Sequence, residues 1–116
     1  LEMGAVPIAT AATAASHAAG HPMPAFFVRK QAKGHGTQSL IEGLAPGETV
    51  AGRRVVVLED VTTTGGSALK AIEAVKAAGG TIVSVITVVD RQEGAAETFA
   101  AARVPFAPIL TASDFR

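Results

Sequence analysis

Cysteine is absent from the chain, which excludes disulfide bridges, thiolate metal ligands and a cysteine nucleophile. Tryptophan and tyrosine are missing too, and only five phenylalanines occur. Much of the apolar content is therefore alanine, a composition that favours helices packed closely on a sheet. Neither sign of charge predominates: ten basic residues face ten acidic ones. No global field draws the protein to nucleic acid or to an anionic membrane, so recognition has to be local. No apolar run approaches the roughly 18 residues of a membrane span and no signal-peptide pattern opens the chain. The expectation is a soluble cytoplasmic protein.

The 116 residues read as one domain, 1–116, long enough for a core. The chain opens at Leu1 inside what reads as a loop. It closes on Ser113-Asp114-Phe115-Arg116, where Ser113 resembles an N-cap with no helix after it. The domain is expected to be cut at both ends.

The most informative stretch is Val55-Val56-Val57-Leu58-Glu59-Asp60-Val61-Thr62-Thr63-Thr64-Gly65-Gly66-Ser67. Four consecutive apolar residues read as a parallel strand buried on both faces, with two carboxylates at its carboxyl end, where open α/β sheets bind ligands. The Thr/Gly/Ser stretch offers hydroxyls and unhindered N–H groups, and the helix that follows turns its positive end toward them. A Walker loop needs a lysine before its Ser/Thr, and a dinucleotide fingerprint needs G-x-G-x-x-G; both are absent. What remains is an anion site preceded by two carboxylates, suited to a phosphorylated sugar whose hydroxyls donate to them.

Along the chain, residues 7–19 read as an Ala-rich helix and 24–28 as a strand ending at Arg29-Lys30. Residues 31–39 are polar, carry two glycines and show neither period, so they read as a loop. Residues 40–42 suggest a short edge strand and 45–47 a turn. Then come a strand at 54–59, a helix at 66–78 with Leu69, Ile72 and Val75 on one side, and a strand at 81–89 ending in Asp90-Arg91-Gln92-Glu93. A helix at 95–103 and a strand at 106–111 complete the order. Alternating strands and helices imply an α/β, Rossmann-like, mainly parallel sheet with helices on both faces. Such a sheet would bring three polar strand exits, after 28, 59 and 89, to one edge.

The acidic pair, Thr-rich loop and helix in this order resemble the signature of phosphoribosyltransferases that use phosphoribosyl pyrophosphate (PRPP). Within that family, Val28-Arg29-Lys30 followed by Lys33-Gly34-His35-Gly36, together with Asp90-Arg91-Gln92-Glu93, is similar to the orotate phosphoribosyltransferases. The segment from Leu1 to Pro7 resembles their pyrophosphate-binding loop, with Met3-Gly4-Ala5 where some members carry a lysine. The resemblance runs from about residue 2 to residue 111 and implies the type I phosphoribosyltransferase fold. It further implies transfer of the 5-phosphoribosyl group from PRPP to orotate, giving orotidine 5′-monophosphate and pyrophosphate in pyrimidine synthesis. Arg29, Lys30, Lys33 and His35 would contact the pyrophosphate and 5-phosphate groups, Glu59 and Asp60 the ribose hydroxyls, and Val61 to Ser67 the 5-phosphate. Lys33, His35, Glu59 and Asp60 would be catalytic. Thr63 and Arg91 would contact orotate. Mg²⁺ would be carried by PRPP and pyrophosphate and not held directly by the protein. A homodimer is implied, with loop 31–39 covering the partner's site. A purine phosphoribosyltransferase or a non-catalytic PRPP-sensing regulator is the alternative.

Overall fold

The computed structural model describes residues 2–29, 41–44 and 47–115. The first helix, α1, spans Glu2–Ala18. It begins five residues before the helix expected from 7, and the stretch that resembled a loop is its first turn and a half. Glu, Met and Ala near its start are good helix formers, and they carry the helix through Pro7, which offers no N–H to the carbonyl four residues before it.

Strands β1 (Phe27–Val28) and β2 (Ile41–Glu42) form a two-stranded antiparallel pair, Phe27 opposite Glu42 and Val28 opposite Ile41. Then follow β3 (Arg54–Thr62), α2 (Gly66–Ala77), β4 (Thr81–Asp90), α3 (Ala95–Ala101) and β5 (Phe106–Thr111), with a 3-10 turn over Ala112–Phe115. β3, β4 and β5 make a parallel sheet in that order. The α/β class and the parallel sheet are as expected. The difference lies in β1, which among the described residues pairs outside this sheet. Ser113 is inside the 3-10 turn and caps no helix.

The core lies between the sheet and α2 and α3: Val57 and Val85 meet Ala68, Ala71, Ile72, Ala95, Phe99 and Val104. Phe99 is fully buried with its ring centroid 4.8 Å from that of Phe106. Burying such a side chain contributes about 1.5–3 kcal/mol. On α2 the buried stripe is Ala68, Ala71, Ile72 and Val75, an i, i+3, i+4, i+7 set whose two alanines let the helix approach the strands closely. Leu69 sits at the margin of the core.

β3 is not buried on both faces. Its pattern alternates, with Val55, Val57 and Glu59 buried and Val56 42 % exposed. Val56 and Leu58 border a cavity of about 560 Å³ that is lined by α1, residues 22–28 and Ile86 and reaches round β3 to Ala71 and Val75 of α2. A continuous apolar run signals coverage of both faces only where a helix packs on each. Here α2 covers one side closely, and α1 packs along β3 beside this cavity.

Candidate active site

Strand pairing sets the geometry of the site. Thr62 lies opposite Asp90 and Asp90 opposite Thr111, so the carboxyl ends of β3, β4 and β5 form one row. The segments leaving that row are 63–65, 91–94 and 112–115. Sequence reasoning brought the exits after 59 and 89 together correctly. The third segment at this edge follows β5, and the exit after β1 is not joined to it by any strand ladder among the described residues.

The acidic pair is part of β3, which continues to Thr62, three residues beyond the expected end. Successive side chains of a strand point to opposite faces, so Glu59 and Asp60 diverge. Glu59 is 3 % exposed on the side of Val57 and α2, whereas Asp60 is partly exposed on the side of Leu58. Val61 and Thr62 belong to the strand, and the loop proper is Thr63-Thr64-Gly65.

Gly65 is the N-cap of α2 at φ 92°, a left-handed conformation that glycine adopts without steric cost. A glycine cap supplies no side-chain oxygen, and the first turn of α2 contains no acidic residue. The Thr64 hydroxyl oxygen reaches the Gly66 N–H at only 3.4 Å. The leading N–H groups of a twelve-residue helix are thus left with positive potential and weak internal partners, the arrangement that attracts phosphate.

The loop is braced from α3. The Thr98 hydroxyl, 2.8 Å from the Thr64 carbonyl, donates to it and also lies 3.0 Å from the Gly94 carbonyl. Phe99 and Thr98 lie directly beneath Gly65, where an added Cβ would come within 3.2 Å and 3.3 Å of their carbons. Behind the loop, the Arg91 N–H donates to the Thr62 carbonyl at 2.9 Å, and the Thr62 hydroxyl donates to Asp90 Oδ1 at 3.1 Å. Arg91 stands beside this junction with its Nε 2.9 Å from Glu93 Oε2, both side chains well exposed. Such a pair is worth about 0–1 kcal/mol, so a ligand carboxylate can compete for the guanidinium.

Arg29 is engaged elsewhere: its Nη1 donates to Glu42 Oε2 at 2.8 Å across the β1–β2 pair. Its Nε is buried without a partner among the described residues. Lys30, Lys33 and His35, together with loop 31–39, lie outside the described residues. Asp90, Thr98 and Phe99 were not singled out as part of the site. The signal for Asp90 is its place as the first charge at a strand exit. The bracing by α3 is a contact across 34 positions that no local pattern announces.

A strand–loop–helix unit with carboxylates ahead of its glycine-capped helix start stands at the carboxyl edge of a parallel sheet. The phosphoribosyl transferase domain model matches residues 1–110, and the chain belongs to that family. Among individual proteins it is similar to the orotate phosphoribosyltransferase of Rhodopseudomonas palustris, 59 % identical over 115 residues, covering 99 % of this chain and 62 % of the relative. The corresponding enzyme of Bradyrhizobium diazoefficiens is 57 % identical over the same coverage. The crystal structure of Mycobacterium tuberculosis orotate phosphoribosyltransferase in complex with PRPP superposes with a TM-score of 0.81 at 45 % identity, covering 99 % of this chain and 61 % of that one. The chain therefore spans about three fifths of the length of these relatives.

Proposed function

We propose that this chain is the PRPP-binding portion of an orotate phosphoribosyltransferase, which transfers the 5-phosphoribosyl group to orotate and releases pyrophosphate. The observation that carries this reading is the uncapped start of α2 behind Thr63-Thr64-Gly65, the loop that directly follows the carboxylate-bearing strand β3. The similarity to a protein solved with PRPP supports it.

In this reading the 5-phosphate sits on the N–H groups from Gly65 to Ser67 and the hydroxyls around them. Asp60, on the more open side of β3, takes the ribose hydroxyls, and Glu59 supports the same strand end from the α2 side. As pyrophosphate leaves, the anomeric carbon becomes cationic, and a carboxylate held close favours that state over the neutral sugar. Mg²⁺ enters with PRPP as part of the substrate and neutralises charge on the departing pyrophosphate. Among the described residues no three His, Cys, Asp or Glu side chains cluster to hold a metal ion of the protein's own. Lys30, Lys33 and His35 supply positive charge and donors toward the leaving group, and Arg29 joins them by exchanging its partly exposed Glu42 partner for phosphate. Loop 31–39 does so across a homodimer, as the resemblance implies. We place the enzyme in the cytoplasm, where a phosphorylated sugar substrate is retained; among the described residues no helix is long and apolar enough to cross a membrane.

Calorimetric titration of the full-length protein, with PRPP and Mg²⁺ present, tests the base. Orotate should bind, and hypoxanthine, uracil and adenine should give no heat. A purine that binds in place of orotate would overturn the assignment. Arg91 is read as the partner of the orotate carboxylate, to which a planar guanidinium can present two parallel donors. Arg91→Ala should raise the KM for orotate tenfold or more while leaving the KM for PRPP within about twofold, since hydrogen bonds to charged groups are worth about 1.5–3 kcal/mol. If PRPP binding collapses instead, Arg91 serves the phosphate site and the base assignment fails.

A further inference from the structure

The strand end beside Arg91 holds a buried carboxylate for which the reaction as read above has no use. Asp90, the last residue of β4, is 4 % exposed. A carboxylate taken out of water needs donors. Asp90 Oδ1 accepts from the Thr62 hydroxyl at 3.1 Å and from the Gln92 N–H at 3.0 Å. Thr62 immediately precedes the phosphate loop, and Gln92 immediately follows Arg91. One oxygen atom therefore grips the neighbour of each ligand-bearing segment.

We propose that Asp90 is a positioning residue that holds the Arg91 segment in fixed register with the phosphate loop, so that base and sugar-phosphate are presented at a set separation. The proposal rests on the reading of Arg91 as the ligand of the base carboxylate. The backbone points the same way. Gln92 has φ 61°, a left-handed conformation rare for a side-chain-bearing residue. That conformation is imposed from outside, by the N–H bond to Asp90 and by Gln92 Oε1, which accepts from the Ser113 N–H at 3.0 Å and the Ser113 hydroxyl at 2.6 Å. The corner directly after Arg91 is thus tied on one side to β3 through Asp90 and on the other to the turn after β5. Strained backbone held by its surroundings at a ligand-bearing corner is a means of pre-organisation. The role assigned to Asp90 is that of an acceptor, which an asparagine oxygen in the same place can fill.

The test compares Asp90→Ala, Asp90→Asn and Thr62→Val in the full-length protein, by steady-state kinetics and by amide hydrogen exchange over residues 91–94. In Asp90→Ala, the KM for orotate should rise about tenfold and the Arg91 and Gln92 amides should exchange at least tenfold faster. Asp90→Asn should stay within about threefold of the parent in both. Thr62→Val removes one arm of the clasp, and should shift orotate KM and exchange in the same direction by a smaller factor. An Asp90→Ala protein that loses thermal stability alone, with KM and exchange unchanged, would reduce Asp90 to a structural residue and overturn the proposal. So would an Asp90→Asn protein as impaired as the alanine variant, because the charge and not the clasp would then be at work. Should Asp90→Ala fail to fold, unchanged orotate KM and exchange in Thr62→Val would also overturn it. Exchange needs no base: a parent protein that makes no orotidine monophosphate would refute the enzyme reading, while the exchange comparison still decides the clasp.

Discussion

Asp60→Asn in the full-length protein should lower turnover by a hundredfold or more and change PRPP affinity less than threefold. The substitution preserves shape and keeps an oxygen for the ribose hydroxyls, so ground-state binding has little to lose. What disappears is the negative charge near a carbon that turns cationic as pyrophosphate departs. The loss therefore belongs to the transition state, and removing one such preorganised electrostatic partner costs on the order of 3 kcal/mol. The strand itself should hold, because the β3–β4 ladder runs past this position to Thr62 and the Thr87 hydroxyl lies 3.4 Å from the Asp60 carbonyl on the adjoining strand. Unchanged turnover with a raised PRPP dissociation constant would reassign Asp60 to ordinary substrate binding. The same variant tests the dimeric arrangement: mixed with Lys33→Ala subunits, it should regain up to about half of the sites in each heterodimer if the 31–39 loop serves the partner. No recovery after verified subunit exchange would place the loop's action within one subunit.

Gly65→Val should abolish measurable PRPP binding at concentrations a hundredfold above the parent's dissociation constant. Two costs combine at this position. The backbone stands at φ 92°, where an L-residue is strained by roughly 1–2 kcal/mol and a β-branched one is a genuine outlier. A Cβ there would also lie 3.2 Å from Phe99 Cζ and 3.4 Å from the Ala95 Cα, against side chains that are themselves fully buried. Overpacking of this kind costs about 1–3 kcal/mol. Phe99 belongs to the core and cannot yield cheaply, so the loop should move instead and carry the α2 N–H groups away from the phosphate. Circular dichroism and a melting curve should show a folded protein with a reduced midpoint. Full PRPP affinity in this variant would mean that the phosphate does not rest on the start of α2.

The order of strand, Thr-rich loop and helix from Arg54 onward is legible in the residues, because each of its signals is local. β-branched apolar residues favour the extended chain, Gly65 permits the left-handed turn, and alanine-rich periodicity drives the helix. The candidate anion site came with it, since uncapped N–H groups follow from a glycine before a helix. The rest came from packing and strand register. β3 reaches Thr62 because Asp90 stands opposite to complete the ladder, and that extension sends Glu59 and Asp60 to opposite faces. A reading that ended the strand at 59 could not foresee it. Val56 lies half open because coverage of a face depends on which helix packs there, a property of the assembled layers and not of four apolar letters. Among the described residues β1 pairs with β2 and not with the parallel sheet, and Arg29 goes to Glu42, through partners that the local sequence does not join. The Asp90 clasp and the brace under Gly65 join residues about thirty positions apart, 62 to 90 and 64 to 98. Side-chain chemistry is written one residue at a time, whereas which donor meets which acceptor is settled only when strands find their register and helices pack on them.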